Sequence, residues 1–329
     1  MKVLVPVLVV IAALACIPFL GASNVTLNFL IVALLIALAG QGWNILGGYG
    51  GQYSFGHAAF FGTGAYATAI LQVRYGVNAW LAFAAGIATG ALVGAVIGAL
   101  AFRSGLKGSY FALVTLAFAE VLRIVASVAQ ITGAGVGTLI KLDMRPEAFQ
   151  FQSRAVFFWI ILVLVSASLL IAARLENVRF GAWLTAIREN EDSARALGVD
   201  VFAVKLRAMI LSAAITASAG CFYAQYFLFV DSTIAFGSWI SVEALLAPIV
   251  GGSGTVLGPL AGALVIRMLG EGAKLVAGDA PGLDLAIYGA VLVGIVAFAP
   301  RGIVGLVTSL SARLRSSASK GMVGSGSRG

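Results

Sequence analysis

The chain has 329 residues, of which 60% are hydrophobic and only 10% charged, whereas a soluble domain usually carries about 25% charged residues to cover its surface. No water-soluble fold hides that much apolar surface, so a soluble enzyme is excluded and an all-α integral membrane bundle is implied, at about 20 apolar residues per spanning helix. The net charge of +8 is scattered over segment ends and gives no nucleic-acid footprint, and the two cysteines, Cys16 and Cys221, sit in apolar runs that suggest neither a disulfide framework nor a metal site.

In chain order, Lys2 and the apolar run 3–20 are similar to a signal peptide, but the order of leucine and alanine before Cys16 is wrong for lipoprotein cleavage, and the run reads as a first spanning helix. Further apolar segments are predicted over 26–46, 55–72, 79–102, 108–130, 155–174 and 205–230. The stretch 239–270 is interrupted by Gly251-Gly252-Ser253-Gly254, and a last segment over 283–299 is closed by Pro300. Gly86, Gly90, Gly94 and Gly98 recur every fourth residue and form a small-residue stripe suited to close helix crossing.

The glycine break decides the count. Two short helices hinged there give ten spans, and a single crossing gives nine. Cytoplasmic loops are enriched in Lys and Arg. With ten spans and both termini cytoplasmic, fourteen basic residues lie inside against five outside, namely Arg74, Lys141, Arg145, Arg154 and Lys274. Nine spans nearly equalise the two sides, so about ten is the expectation. Residues 1–310 form one transmembrane domain with a long cytoplasmic connection over 176–204, and 311–329, rich in Ser and Gly, form a flexible cytoplasmic tail.

Within that connection, Trp183, Leu184, Ile187, Ala194 and Leu197 are apolar, while Arg188, Glu189, Glu191, Asp192 and Arg195 are charged. A short helix stopped by Gly198 is expected. Its near-balanced charge argues against a lipid-surface role, which favours a strongly basic face, and for insertion into a groove on a partner protein.

The run Asp192-Ser-Ala-Arg-Ala-Leu-Gly198 resembles the Glu-Ala-Ala-x-x-x-Gly loop of ABC importer permeases, with Asp192 and Ser193 as conservative departures. The whole run 179–200 resembles the version in branched-chain amino acid permeases of the LivM type. So do Trp43-Asn-Ile-Leu-Gly-Gly-Tyr-Gly-Gly-Gln-Tyr-Ser-Phe-Gly-His-Ala-Ala-Phe-Phe-Gly-Thr-Gly-Ala-Tyr66, the block 108–120, Val250-Gly-Gly-Ser-Gly-Thr-Val-Leu-Gly-Pro259 and Ala299-Pro-Arg-Gly302. The resemblance implies an ABC importer permease in a bacterial inner membrane. Two ATP-binding cassette subunits, a second homologous permease in a heterodimer and a periplasmic binding protein are its expected partners. ATP and Mg are then bound by the partners. No cofactor is expected on this chain, which has no Gly-Lys-Ser/Thr phosphate loop. The expected cargo is a branched-chain or other hydrophobic amino acid, with urea, short amides or aromatic acids as the alternative. A secondary transporter or channel working without ATP is the rival class.

Polar groups inside a membrane are functional-site hypotheses by default. His57, the single histidine, lies beside Gln52 and Ser54. Glu120 falls about 18 Å along its helix from Gly108, with Arg123 one turn away as a neutralising partner. Glu243 precedes the glycine break. Gly251, Gly252 and Gly254 could expose helix ends to the ionic groups of a zwitterion, with its side chain against Phe60, Phe61, Tyr110 or Phe111.

Overall fold

A computed structural model describes residues 4–277 and, beyond them, positions 283, 286, 287, 289, 290, 293, 294, 302, 303 and 305. The rest of the segment expected over 283–299 and the tail over 311–329 lie outside the described residues.

An apolar medium offers backbone N–H and C=O groups no partners, so each spanning segment must satisfy them internally as a helix. The helices are α1 (Leu4–Cys16), α2 (Asn24–Trp43), α3 (His57–Tyr75), α4 (Ala79–Arg103), α5 (Gly108–Val128) and α6 (Arg154–Leu175), followed by the short α7 (Arg179–Glu189) and α8 (Glu191–Ala196). Then come α9 (Val201–Phe227), α10 (Ser232–Ala235), α11 (Ser238–Gly251) and α12 (Gly258–Ala277). A pair of two-residue strands, β1 (Thr138–Leu139) and β2 (Phe229–Val230), runs antiparallel and ties the α5–α6 connection to the end of α9.

Helix starts follow local capping chemistry. The Ser23 hydroxyl accepts from the Thr26 N–H at 3.1 Å at the head of α2, and Asn78 accepts from the Trp80 N–H at 2.9 Å at the head of α4. Gly76, in a left-handed conformation, closes α3. α2 does not stop at Trp43 but continues through a π-turn, Asn44–Tyr49.

Among the described residues, six helical stretches are long and apolar enough to cross a membrane: 24–49, 79–103, 108–128, 154–175, 201–227 and 232–251. α3 and α12, with 19 and 20 residues, have comparable length and a milder composition. The stretch 239–270, whose crossing was ambiguous from sequence, forms two antiparallel helices. A Cβ on Gly251 would lie 1.8 Å from the Gly258 carbonyl oxygen, and one on Gly262 would lie 1.8 Å from that of Ala247. The hairpin therefore closes only because these positions lack side chains.

α2 and α9 form the centre. α9 is contacted by α2, α3 and α4, while α2 is flanked by α6, α9, α11 and α12. The glycine stripe on α4 faces a matching four-residue ladder on α9. A methyl at Gly86, Gly90, Gly94 or Gly98 would lie within 2.3–2.9 Å of Cys221, Ala217, Ala213 and Met209 respectively. Gly220 on α9 meets the Phe61 carbonyl on α3 in the same way, at 1.9 Å. Among the six long apolar stretches α5 is the least enclosed, with Tyr110, Leu113, Val121, Val125 and Val128 exposed.

The stripe predicts an asymmetric glycine response. Gly90→Leu should destabilise the bundle by about 3 kcal/mol or more through overpacking. Gly270→Ala, with no atom within 4 Å of the new methyl, should be neutral or stabilise by about 0.5–1 kcal/mol. Thermal melting of the detergent-purified variants checks both.

Candidate functional site

The connection expected to hold one short helix holds two. The backbone breaks at Asn190 (φ −158°, ψ 108°), whose side chain accepts from the Ser193 N–H at 2.9 Å and so starts α8. Gly198 follows in a left-handed conformation (φ +86°) and ends the element. The apolar positions divide between two directions. Leu184, Ile187 and Ala194 are buried against the protein's own bundle, whereas Trp183 is half-exposed and Leu197 is 85% exposed. Of these five, only the latter two present apolar surface outward, and Asp192 of α8 is also exposed.

Arg188 carries the tie to the bundle. Its Nη1 donates to the Gly48 carbonyl in the π-turn at 2.9 Å, and its stem lies over Gly51, where a Cβ would sit 2.7 Å from the Arg188 Cγ. Gly48 in turn abuts the turn between α11 and α12, its carbonyl lying 3.1 Å from a Cβ placed on Gly254. Asn44, fully buried one turn earlier, clamps that turn. Its Oδ1 accepts from the Gly254 N–H at 2.8 Å and its Nδ2 donates to the Thr255 carbonyl at 2.9 Å. Gln41 adds a donation to the Val256 carbonyl at 3.2 Å. The α7–α8 element, the π-turn and the glycine turn thus form one hydrogen-bonded assembly at one end of the bundle.

Gly251 is buried in the α11–α12 contact, and Gly252 takes φ +133°. The polar groups of this turn are engaged by Asn44, Gln41 and Thr255, whose hydroxyl also accepts from the Gly258 N–H at 3.1 Å at the head of α12. The helix ends here are therefore closed by protein groups.

Glu191 is the anchor of an ion-pair cluster. Lys205 of α9 reaches its Oε2 at 2.7 Å, Arg195 its Oε1 at 2.9 Å and Lys107 its Oε1 at 3.4 Å. Burial pushes the Glu191 carboxyl up, yet the hydrogen bond and charge of Lys205, with Lys107 beyond, outweigh it and hold the group below the ordinary value of 4.5. The Lys205 ammonium is itself only 4% exposed and lies 5.5 Å from the Phe102 ring centre.

Deeper in the bundle, α3 starts among side chains. His57 is fully buried, with its Nε2 2.9 Å from the Ser212 hydroxyl of α9 and its ring edge-on to Phe60, also buried. The Ala58 N–H donates to the Ser241 hydroxyl of α11 at 2.9 Å. Ser54 is buried and its carbonyl accepts from the Trp43 indole at 2.8 Å, while Gln52 donates to the Gly50 carbonyl at 3.2 Å. These four residues brace the junction of the π-turn with α3.

Glu120 and Arg123 pair on α5, with Arg123 Nε 2.9 Å from the Glu120 carboxylate, and they sit on the exposed face together with Tyr110. Glu243 lies on α11 with Arg267 of α12 across a shared cavity.

The profile of a family described as the branched-chain amino acid transport system permease component matches residues 25–296. The chain belongs to this permease family. It is 28% identical to the high-affinity branched-chain amino acid transport system permease protein LivM of Escherichia coli K12, covering 92% of this chain and 75% of the relative. The Salmonella typhimurium LivM is 27% identical over the same shares, and a probable LivM of Methanocaldococcus jannaschii is 31% identical over 41% of this chain and 40% of its own. No solved structure matches the chain. The permease is a multi-pass membrane protein.

Several residues of the site carry no motif that sequence reasoning could catch. Asn44 stands inside a block similar to the family's, yet its role depends on a turn 210 residues away. Lys205 and Arg267 read as ordinary segment-end and intrahelical cations. Gln225 is fully buried, and neither of its amide atoms has a hydrogen-bond partner among the described residues.

Two measurements check the assembly. Asn44→Leu leaves the Gly254 N–H and the Thr255 carbonyl unpaired, and should lower stability by about 2 kcal/mol or more. Glu191→Gln, which strands the buried Lys205 ammonium, should lower it by about 3 kcal/mol. Because the folded-state value of Glu191 is depressed, its contribution is fully present above about pH 4.5 and is lost as pH falls through that lowered value. Melting curves recorded from pH 7 downward should show the wild-type protein converging on Glu191→Gln in acid.

Proposed function

We propose that the permease is the membrane subunit of an ATP-driven ABC importer that takes up branched-chain or other hydrophobic amino acids. On this reading it crosses the bacterial inner membrane about ten times with both termini in the cytoplasm. The α7–α8 element lies on the cytoplasmic face and the β1–β2 pair on the periplasmic face. Two ATP-binding cassette subunits supply ATP and Mg chemistry from below, a second homologous permease completes the pathway, and a periplasmic binding protein delivers the cargo.

The observation that carries the proposal is the Arg188–Gly48 bond, with Asn44 beside it. An exposed apolar tip, Trp183 and Leu197, is joined through Arg188 and the π-turn to the hinge of the α11–α12 hairpin. A nucleotide-driven partner gripping that tip would move the hairpin as a lever, the kind of rigid-body switch by which packed helices exchange arrangements. A transporter working without such a partner has no use for an exposed leucine on a charged cytoplasmic loop.

The face of α5 supports a second protomer. An ion pair at the middle of a spanning helix is costly against hydrocarbon. The exposed Glu120–Arg123 pair, with Tyr110 on the same helix, therefore suits a polar pathway or a partner subunit better than lipid. The cargo class comes from the LivM relatives, permeases of branched-chain amino acid transport systems.

Leu197→Asp tests the lever. The side chain is exposed, so stability should stay within about 0.5 kcal/mol of wild type, while ATP-driven leucine uptake in proteoliposomes containing the whole complex should fall by more than ten-fold. Unchanged uptake by Leu197→Asp, or wild-type uptake that persists without ATP and the ATPase subunits, would overturn the proposal. Uptake of urea or an aromatic acid in place of leucine would change the cargo and leave the lever standing.

A further inference from the structure

Between α2, α3, α9, α11 and α12 lies a cavity of about 130 Å³, distinct from the hinge assembly. Its position follows from its walls. Glu243 is five residues into α11 from Ser238, and Arg267 is nine residues along α12 from Gly258, so at about 1.5 Å per residue the cavity sits in the half of the bundle away from the glycine turn. Tyr223 and Phe227, at the far end of α9, line it as well. The volume is close to the roughly 150 Å³ of a cavity that takes one benzene, the scale of one small amino acid.

The walls combine two opposite charges with apolar and aromatic surface. Leu35 and Ile36 of α2, Phe61 of α3 and Trp239 of α11 supply the apolar part, and Glu243 and Arg267 are its charged groups. No ion pair joins these two. The Arg267 Nη2 is engaged by Glu271 at 3.2 Å, but its Nε is buried with no hydrogen-bond partner among the described residues. The Glu243 carboxylate likewise has no hydrogen bond or ion pair among the described residues, although both residues border the same cavity. A carboxylate without an ion partner inside a membrane bundle is costly, and a ligand that brings an ammonium to Glu243 and a carboxylate to the remaining donors of Arg267 removes that cost. A guanidinium carries five N–H donors, and those of Arg267 not engaged by Glu271 suit a carboxylate. The carboxylate of Glu243 suits an ammonium.

We infer that this cavity is a binding site for a zwitterionic α-amino acid with an apolar side chain, its ammonium on Glu243, its carboxylate on Arg267 and its side chain against Leu35, Phe61 and Trp239. The inference rests on the import reading above and adds to it a site within the permease itself. Side-chain selection is then loose, set by a mixed aliphatic and aromatic wall, while the two charges are both required.

The test uses the full complex in lipid nanodiscs without the binding protein, with equilibrium binding of radiolabelled L-leucine. Leucinamide, which lacks the carboxylate, and 4-methylpentanoate, which lacks the ammonium, should each displace leucine at least about ten-fold more weakly than unlabelled leucine does, the loss expected for one charge-assisted hydrogen-bonded group. Glu243→Gln should weaken leucine binding by a similar factor and abolish the discrimination against 4-methylpentanoate. Arg267→Gln should do the same for leucinamide. Reciprocal loss of discrimination is a pattern that mere destabilisation does not produce.

If Arg267→Gln fails to assemble, the isosteric Glu243→Gln decides alone, and leucine affinity unchanged in that variant overturns the site. So does a wild-type complex that imports leucine with ATP but binds none without the binding protein. A complex that imports no hydrophobic amino acid fails the import reading instead, which separates the two outcomes.

Discussion

Helices in an apolar medium gain little from hiding leucine, since lipid tails are as apolar as the side chains they replace. What holds α9 among its neighbours is the close backbone approach allowed where side chains are missing. Gly90 and Gly94 of α4 receive Ala217 and Ala213, and Gly220 of α9 lies against the Phe61 carbonyl. Dispersion at such short range, summed over a 27-residue helix contacted from three sides, takes the place that hydrophobic burial fills in a soluble core. The remaining elements are placed relative to α9. α3 starts where Ser212 meets His57, and the α7–α8 element is fastened where Lys205 meets Glu191.

In a bundle held this way a buried polar group is costly unless it is hydrogen-bonded. That requirement explains why the π-turn after α2 coincides with the hinge of α11 and α12. The π-turn presents the Gly48 carbonyl to Arg188 from one side, and one turn of helix before it Asn44 serves both the N–H and the C=O of the glycine turn. Irregular backbone at membrane depth is tolerated where protein groups cover it, and the two irregular segments here cover one another. The coupling that the proposed function requires is thus built from the same bonds that make the irregular backbone affordable.

The charges divide by how completely they are paired. Glu191 is surrounded by cations and fixes the position of a loop. Glu120 and Arg123 neutralise each other on an open face of α5. Glu243 and Arg267 face one cavity without meeting. The first arrangement gives rigidity, the second suits a surface that meets another subunit or a polar path, and the third leaves a pair of complementary charges open to a third party.

Much of the architecture was legible in the residues alone because a spanning helix is a local object: twenty apolar residues specify it without reference to any partner. The glycine stripe on α4, the stop at Gly198 and the break at Gly251 to Gly254 were visible for the same reason, since each is a property of a few adjacent positions. Tertiary structure decided whatever depends on a distant neighbour. Leu184, Ile187 and Ala194 look from sequence like residues that would enter a partner's groove, yet they turn inward because the bundle's own π-turn and the start of α9 offer the nearer apolar surface. Asn190 splits the loop helix in two because its side chain caps the second half better than it continues the first. Asn44 meets a turn 210 residues away at Gly254, and Glu243 and Arg267 come to border one cavity through the folding of α12 back along α11. No local pattern records such a meeting, because it is set by how the helices stack.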